Sequence, residues 1–100
     1  MKLGILVNTD RHLEGITGMT RAALAKGHQV LLFAMDDGTK LLASPGYIAL
    51  CHLPGVSMSF CQESATRKGV SCAALPEMIA GGSQLQNAMT AQTADRMIVL

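Results

Sequence analysis

The chain has 100 residues, a net charge of +1 and eight basic side chains dispersed along its length. That is enough for a single domain spanning residues 1–100, with a core that needs no disulfide staples. No basic stripe interleaved with aromatics is present, which argues against nucleic acid as a partner, and no apolar run approaches the length of a membrane span.

Only three residues are aromatic and none is Trp, so the core must be built from Leu, Ile, Val, Ala and Met. Seven Met suit flexible core filling, with an adaptable contact surface as the alternative. Leu3 to Val7 is a continuous apolar run, the mark of a strand buried on both faces. Asn8, Thr9, Asp10 and Arg11 interrupt it too early for an export signal. Asn8-Thr9-Asp10 suits a turn and a helix cap. Leu13, Ile16, Met19 or Thr20, and Ala23 then recur at helical spacing. Gly27 closes this helix, and Lys26 complements its dipole. Gly15 and Gly18 weaken it, which implies close packing or irregularity near its start.

Gln29 to Met35 is the second strand, ended by Asp36-Asp37-Gly38. Strand, helix, strand with short connections is the βαβ unit of a parallel sheet. Thr39 to Ala43 suits either a turn or the start of a helix. Ser44-Pro45 reads as a cap and first helical residue for a short helix through Tyr47, Ile48, Leu50, Cys51 and Leu53, stopped by Pro54-Gly55. Val56, Met58 and Phe60 alternate with Ser57 and Ser59 as a third strand. Gln62 to Lys68 is a short helix with Gly69 at its stop. Val70 to Leu75 is a weak strand, and Pro76 to Ile79 suits one helical turn. Ser83 caps a helix over residues 84–93, and Met97 to Leu100 is the last strand. Five strands alternating with helices predict an α/β fold of three layers around a five-stranded, mainly parallel sheet.

Cys61 falls where the third strand meets its helix. Free N–H groups and the positive helix end favour a thiolate there, and the thiolate is the nucleophile. If the sheet has the doubly wound order 2-1-3-4-5, ligands favour the crevice beyond strands one and three. That crevice would bring Asn8, Thr9 and His12 toward Ser59 and Cys61. His12 is then either a base or proton donor for Cys61, or a solvent-exposed side chain near a helix start. Asp36-Asp37 either binds a cation, tunes the site or makes a polar turn. Cys51 and Cys72 read as core packing, whereas packing and reactivity are evenly balanced for Cys61. The three cysteines lack the spacing of a zinc site or a thioredoxin-type motif, so no metal is expected. Without an export signal they are expected to be thiols in a reducing cytoplasm. Gly81-Gly82-Ser83 lacks the glycine spacing of a dinucleotide fingerprint.

The stretch Met58-Ser59-Phe60-Cys61-Gln62-Glu63-Ser64-Ala65-Thr66-Arg67-Lys68-Gly69-Val70 resembles the DsrE/DsrF-like family, which includes TusD-type sulfur-relay subunits. A hydrophobic strand ends in Cys, a short helix follows, and a basic residue plus Gly closes it. Gly81-Gly82, the terminal Ala94 to Leu100, and Lys2 to Asn8 with the following helix extend the likeness over nearly the whole chain. The resemblance implies a flavodoxin-like fold without a flavin, small homo-oligomers and a cytoplasmic role. In relay members the cysteine matching Cys61 takes up sulfane sulfur as a persulfide and passes it to a partner thiol, by thiolate attack on sulfur. That chemistry needs no metal or organic cofactor, and it implies sulfur donor and acceptor proteins as partners. Ser59, Gln62 and Ser64 would line the pocket of such a sulfur carrier or sulfur transferase. Two rivals remain: a non-catalytic small-ligand-binding or assembly module with Cys61 merely packed, and a thiol redox protein. In the redox protein Cys72 or Cys51 resolves an oxidised Cys61, with Cα atoms within roughly 7 Å.

Overall fold

The computed structural model describes residues 1–82 and 93–100. Strands β1 (Lys2–Val7), β2 (Gln29–Ala34), β3 (Val56–Cys61), β4 (Ile79–Gly82) and β5 (Arg96–Val99) form one sheet. Every pairing in it is parallel. The α/β class and the five-stranded sheet expected from the alternation of apolar runs are therefore present. The helix expected over residues 84–93, with its cap at Ser83, lies outside the described residues except for Thr93.

The strand order is β4-β3-β2-β1-β5, not 2-1-3-4-5. The first four strands are laid down in one direction, each beside its predecessor, and β5 pairs on the far side of β1. Right-handed crossovers that all advance in one direction put their helices on one face of the sheet. On that face Ile5, Val7, Val30, Leu32, Met58 and Phe60 pack with Ile16 of helix α1 (Leu13–Ala25), Tyr47 of α2 (Pro45–Ile48) and Ala65 of α3 (Gln62–Arg67). Leu32 and Phe33 point to opposite faces and are 1 % and 0 % exposed, which is why β2 reads as an unbroken apolar run. Truncating a side chain such as Leu32 to Ala costs about 2–5 kcal/mol.

Local chemistry sets the element ends. Gly27 and Gly69 follow α1 and α3 with φ of +81° and +72°, the left-handed conformation of a helix stop. The cap of α1 is His12, which makes no side-chain capping bond, so the polar cluster Asn8-Thr9-Asp10 turns the chain without capping the helix. The segment after β2 is a 3₁₀ helix over Asp36–Ala43. The helix expected from Ser44 to Leu53 is α2 followed by a second 3₁₀ turn over Ala49–His52. Leu53 ends it with φ −77° and ψ 129°, the extended geometry imposed on a residue before proline.

One expectation fails between α3 and β5: Val70 to Leu75 forms no strand. Pro76 to Ile79 closes a single turn, the Ile79 N–H donating to the Pro76 carbonyl oxygen at 3.0 Å, and β4 begins at Ile79. Only Ile79 of β4 is buried. The remainder, Ala80-Gly81-Gly82, carries almost no side chain from which a strand can be read. Gly81 is small for a reason: an added Cβ would lie 2.9 Å from Gln62 Oε1 and 3.2 Å from Phe60 Cζ.

Three stability predictions follow from these environments. Gly15 and Gly18 sit in α1 with open space around them among the described residues, so of close packing and irregularity, the two readings of these glycines, close packing does not apply. Gly15→Ala and Gly18→Ala should each raise unfolding free energy by about 0.5–1 kcal/mol in urea titration. Gly38→Ala should lower it by about 1–3 kcal/mol, because the new Cβ would run into the Val7 backbone carbonyl. Tyr47 is 0 % exposed, and its hydroxyl has no partner among the described residues. Burial holds the phenol neutral, raising its pKa above the ordinary tyrosine value. Tyr47→Phe removes only that unpaired hydroxyl and should leave stability unchanged or raise it by about 1–3 kcal/mol; a loss would show that the oxygen is satisfied in solution.

Candidate functional site

Cys61 is the last residue of β3 and the amino-terminal cap of α3. Its φ of −80° and ψ of 113° keep it extended while the next residue turns into the helix, and no side chain caps the first turn. Glu63 is the acidic residue of that turn, and its exposed carboxylate approaches Arg67 Nη1 at 3.7 Å. The thiol is 4 % exposed. Residues alternate along a strand, so Ser57, Ser59 and Cys61 face away from the helix-bearing side that Met58 and Phe60 share. Cys61 accordingly stands outside the main apolar cluster, whereas Cys51 belongs to it and Cys72 packs against it. All three are free thiols.

The residues predicted to gather around Cys61 divide into two groups. Ser59 is half-buried on the same side of β3, in register with Phe33 and Ala80. Gln62 opens α3; its Nε2 donates to Thr66 Oγ1 at 3.5 Å, and its Oε1 lies over Gly81. Ser64 is 2 % exposed, buried within the third position of α3. Cys61 itself is paired with Gly82 of β4. These neighbours come from β3, β4 and α3.

Asn8, Thr9 and His12 form the second group, and the structure does not bring them beside Cys61. They follow β1, and β2 lies between β1 and β3. At about 4.8 Å per strand spacing, that places the two strand ends roughly 10 Å apart. The direction of strand addition reverses between β1 and β5, so the crevice inferred between strands one and three does not exist. Asn8 instead donates its backbone N–H to the Leu100 carbonyl at 3.1 Å, continuing the β1–β5 pairing. The Thr9 hydroxyl is buried without a partner among the described residues. Exposed His12 borders a separate cavity of about 450 Å³ lined by Asp10, Arg11, Leu13, Glu14 and Gly15.

What the sequence left unconnected is the link from the end of β2 to the end of α3. Arg67 Nη2 donates to Asp36 Oδ1 at 2.9 Å, and Lys68 Nζ approaches Asp37 Oδ1 at 3.0 Å. Lys40 adds a second partner for Asp37 at 3.4 Å. The bond from Lys68, followed by that from Lys40, holds the Asp37 carboxyl below its ordinary value of 3.8. A lowered carboxyl favours the folded state most above its unfolded pKa, and that contribution is lost as pH falls through the lowered value. Asp36-Asp37 thus joins two elements through ion pairs. Among the described residues no group of His, Cys, Asp or Glu could hold a metal ion, and no helix is long and apolar enough to cross a membrane.

The fold has solved counterparts. The structure matches the ychN protein from E. coli with a TM-score of 0.74 at 13 % identity, covering 100 % of both chains. It matches MTH1491, a protein of unknown function from Methanobacterium thermoautotrophicum, with a TM-score of 0.79 at 16 % identity, covering 99 % of this chain and 98 % of that one. At such identities the likeness shows the fold alone. No curated protein sequence matches significantly. The model of the DsrE/DsrF-like family matches residues 1–100, and the chain belongs to that family.

Proposed function

We propose that the protein carries or transfers sulfane sulfur as a persulfide on Cys61. The carrying observation is the placement of Cys61: it ends a strand, opens a helix that no side chain caps, and is the one described cysteine outside the apolar cluster. Family membership across residues 1–100 supports a sulfur-handling role.

In the proposed exchange, the Cys61 thiolate attacks the terminal sulfur of a donor persulfide. The donor's S–S bond breaks, the donor leaves as a thiolate, and a new S–S bond forms on Cys61. An acceptor thiolate then repeats the attack on the terminal sulfur and frees Cys61. Each step exchanges one S–S bond for another and consumes no external electrons. Ser59, on the same side of β3 as Cys61, flanks the loaded sulfur in this scheme, whereas the Gln62 amide lies over Gly81 on the Phe60 side; donor and acceptor proteins dock at the carboxyl edge of the sheet, and the chain works as a homo-oligomer in the reducing cytoplasm. Asn8, Thr9 and His12 have no part in it, since β2 stands between them and Cys61.

A packed, non-catalytic Cys61 is the second reading, favoured by its 4 % exposure. The redox alternative is disfavoured by geometry, because Cys51 and Cys72 pack with the cluster on the other face of the sheet.

Intact-mass spectrometry after incubation with polysulfide separates the first two. Wild type should gain one or more sulfur atoms that a thiol reductant removes, and Cys61→Ser should gain none. No gain, or an equal gain on both proteins, would sink the carrier reading and leave Cys61 as a packing residue.

A further inference from the structure

The neighbours of Cys61 on its two flanking strands differ in kind. Gly82 of β4, paired with it, has no side chain. On the β2 side Ala34 pairs with Phe60, so the next residue of each chain segment, Met35 and Cys61, stand side by side. Met35 lies one residue past β2 but keeps its line. Its φ of −143° and ψ of 166° are extended, and its N–H donates to the Val7 carbonyl oxygen at 2.9 Å, continuing the β1–β2 ladder. At the spacing of neighbouring strands, its Cα lies roughly 5 Å from that of Cys61.

Both side chains take the same side of the sheet. Alternation sends Ala34 and Phe60 to the helix-bearing face, and Met35 and Cys61 to the other. Burial agrees: Phe33, Met35 and Cys61 are buried or half-buried, yet none belongs to or packs against the main apolar cluster that holds Leu32, Ala34 and Phe60. Phe33 is 0 % exposed and pairs with Ser59, so this face carries two adjacent rows, Phe33–Ser59 and Met35–Cys61. After Met35 the chain leaves the line of β2. Asp36 turns it with φ +47°, and the Thr39 hydroxyl donates to the Asp36 carbonyl oxygen at 2.7 Å. Met35 is therefore the last residue on the β2 side to stand in register with β3.

We infer that Met35 is a positioning residue for Cys61, packing its side chain beside the thiol from the β2 side and setting how accessible the sulfur is. The inference deepens the carrier proposal and rests on Cys61 being its reactive group. Methionine suits the place. Its side chain is unbranched, turns about three bonds and ends in a polarisable thioether, so it can cover a thiol and give way when a second sulfur is added. A β-branched side chain, stiff about its first bond, lacks that freedom. On the opposite flank Gly82 has no side chain with which to share the task.

The test is site-resolved alkylation of the full chain by iodoacetamide, followed by mass spectrometry. Cys51, 2 % exposed in the main cluster, is the internal reference for global opening. Met35→Ala should raise the Cys61 labelling rate about two- to five-fold relative to Cys51, since a half-buried side chain gives up only a handful of close contacts. Met35→Leu, of similar volume, should keep the wild-type ratio. Leu31→Ala makes a comparable truncation on the same face of β2, beside Ser57, and should also leave the ratio unchanged. An unchanged ratio in Met35→Ala would overturn the assignment. So would an equal rise in Met35→Leu or in Leu31→Ala, because either would mark a general loosening of β2. Sulfur loading plays no part in this readout. A protein that fails to load sulfur yet shows the Met35→Ala shift loses the carrier role and keeps the positioning; one that loads sulfur with no shift does the reverse.

Discussion

Strand β2 pairs in parallel with β1 on one side and β3 on the other, through Val30 to Ala34. Its residues are nearly all buried because the strand is covered from both faces and flanked at both edges. This pairing decides what meets what at the carboxyl end of the sheet. It inserts a full strand between the loop after β1 and the end of β3, and it sets the loop after β2 directly beside α3. Arg67 and Lys68 therefore meet Asp36 and Asp37, while Asn8, Thr9 and His12 stand a strand away from Cys61.

Much of this was legible in the chain. Continuous apolar runs gave β1 and β2, alternation gave β3, and Gly27 and Gly69 marked helix ends, because each feature is local and its cause lies in the side chains themselves. Strand order is not local. A doubly wound sheet can be assembled in several orders from the same list of elements, and nothing in the composition of β1 or β3 says whether β2 lies between them. β4 was hidden for a different reason. Its pairing with β3 is made by backbone groups, and Ala80, Gly81 and Gly82 contribute no pattern of side chains. The more apolar Val70 to Leu75 looked like the better strand, but Val70 and Cys72 serve as packing against the helix-side cluster.

The position of Cys61 was legible as a strand-to-helix junction, and its burial was not. A residue's exposure depends on what the rest of the fold lays over it, and here that includes the choice of face made by strand alternation. The ion pairs escaped notice because their members lie far apart in the sequence, and only the adjacency of β2 and β3 makes them neighbours. Asp36-Asp37 was visible as an acidic pair and Arg67-Lys68 as a basic one. Either pair alone has an ordinary reading as a polar turn or a solvated helix end.

The division of the three thiols between the two sides of the sheet has a further consequence. A persulfide with another thiol of its own chain in reach is unstable cargo: that thiol attacks the inner sulfur, a disulfide closes, and the outer sulfur departs as sulfide. Cys51 and Cys72 pack with the cluster on the helix-bearing side, away from the face that Cys61 takes, which in the proposed carrier would disfavour self-discharge. Under the proposed carrier role, sulfur held on Cys61 would have to leave by way of another molecule.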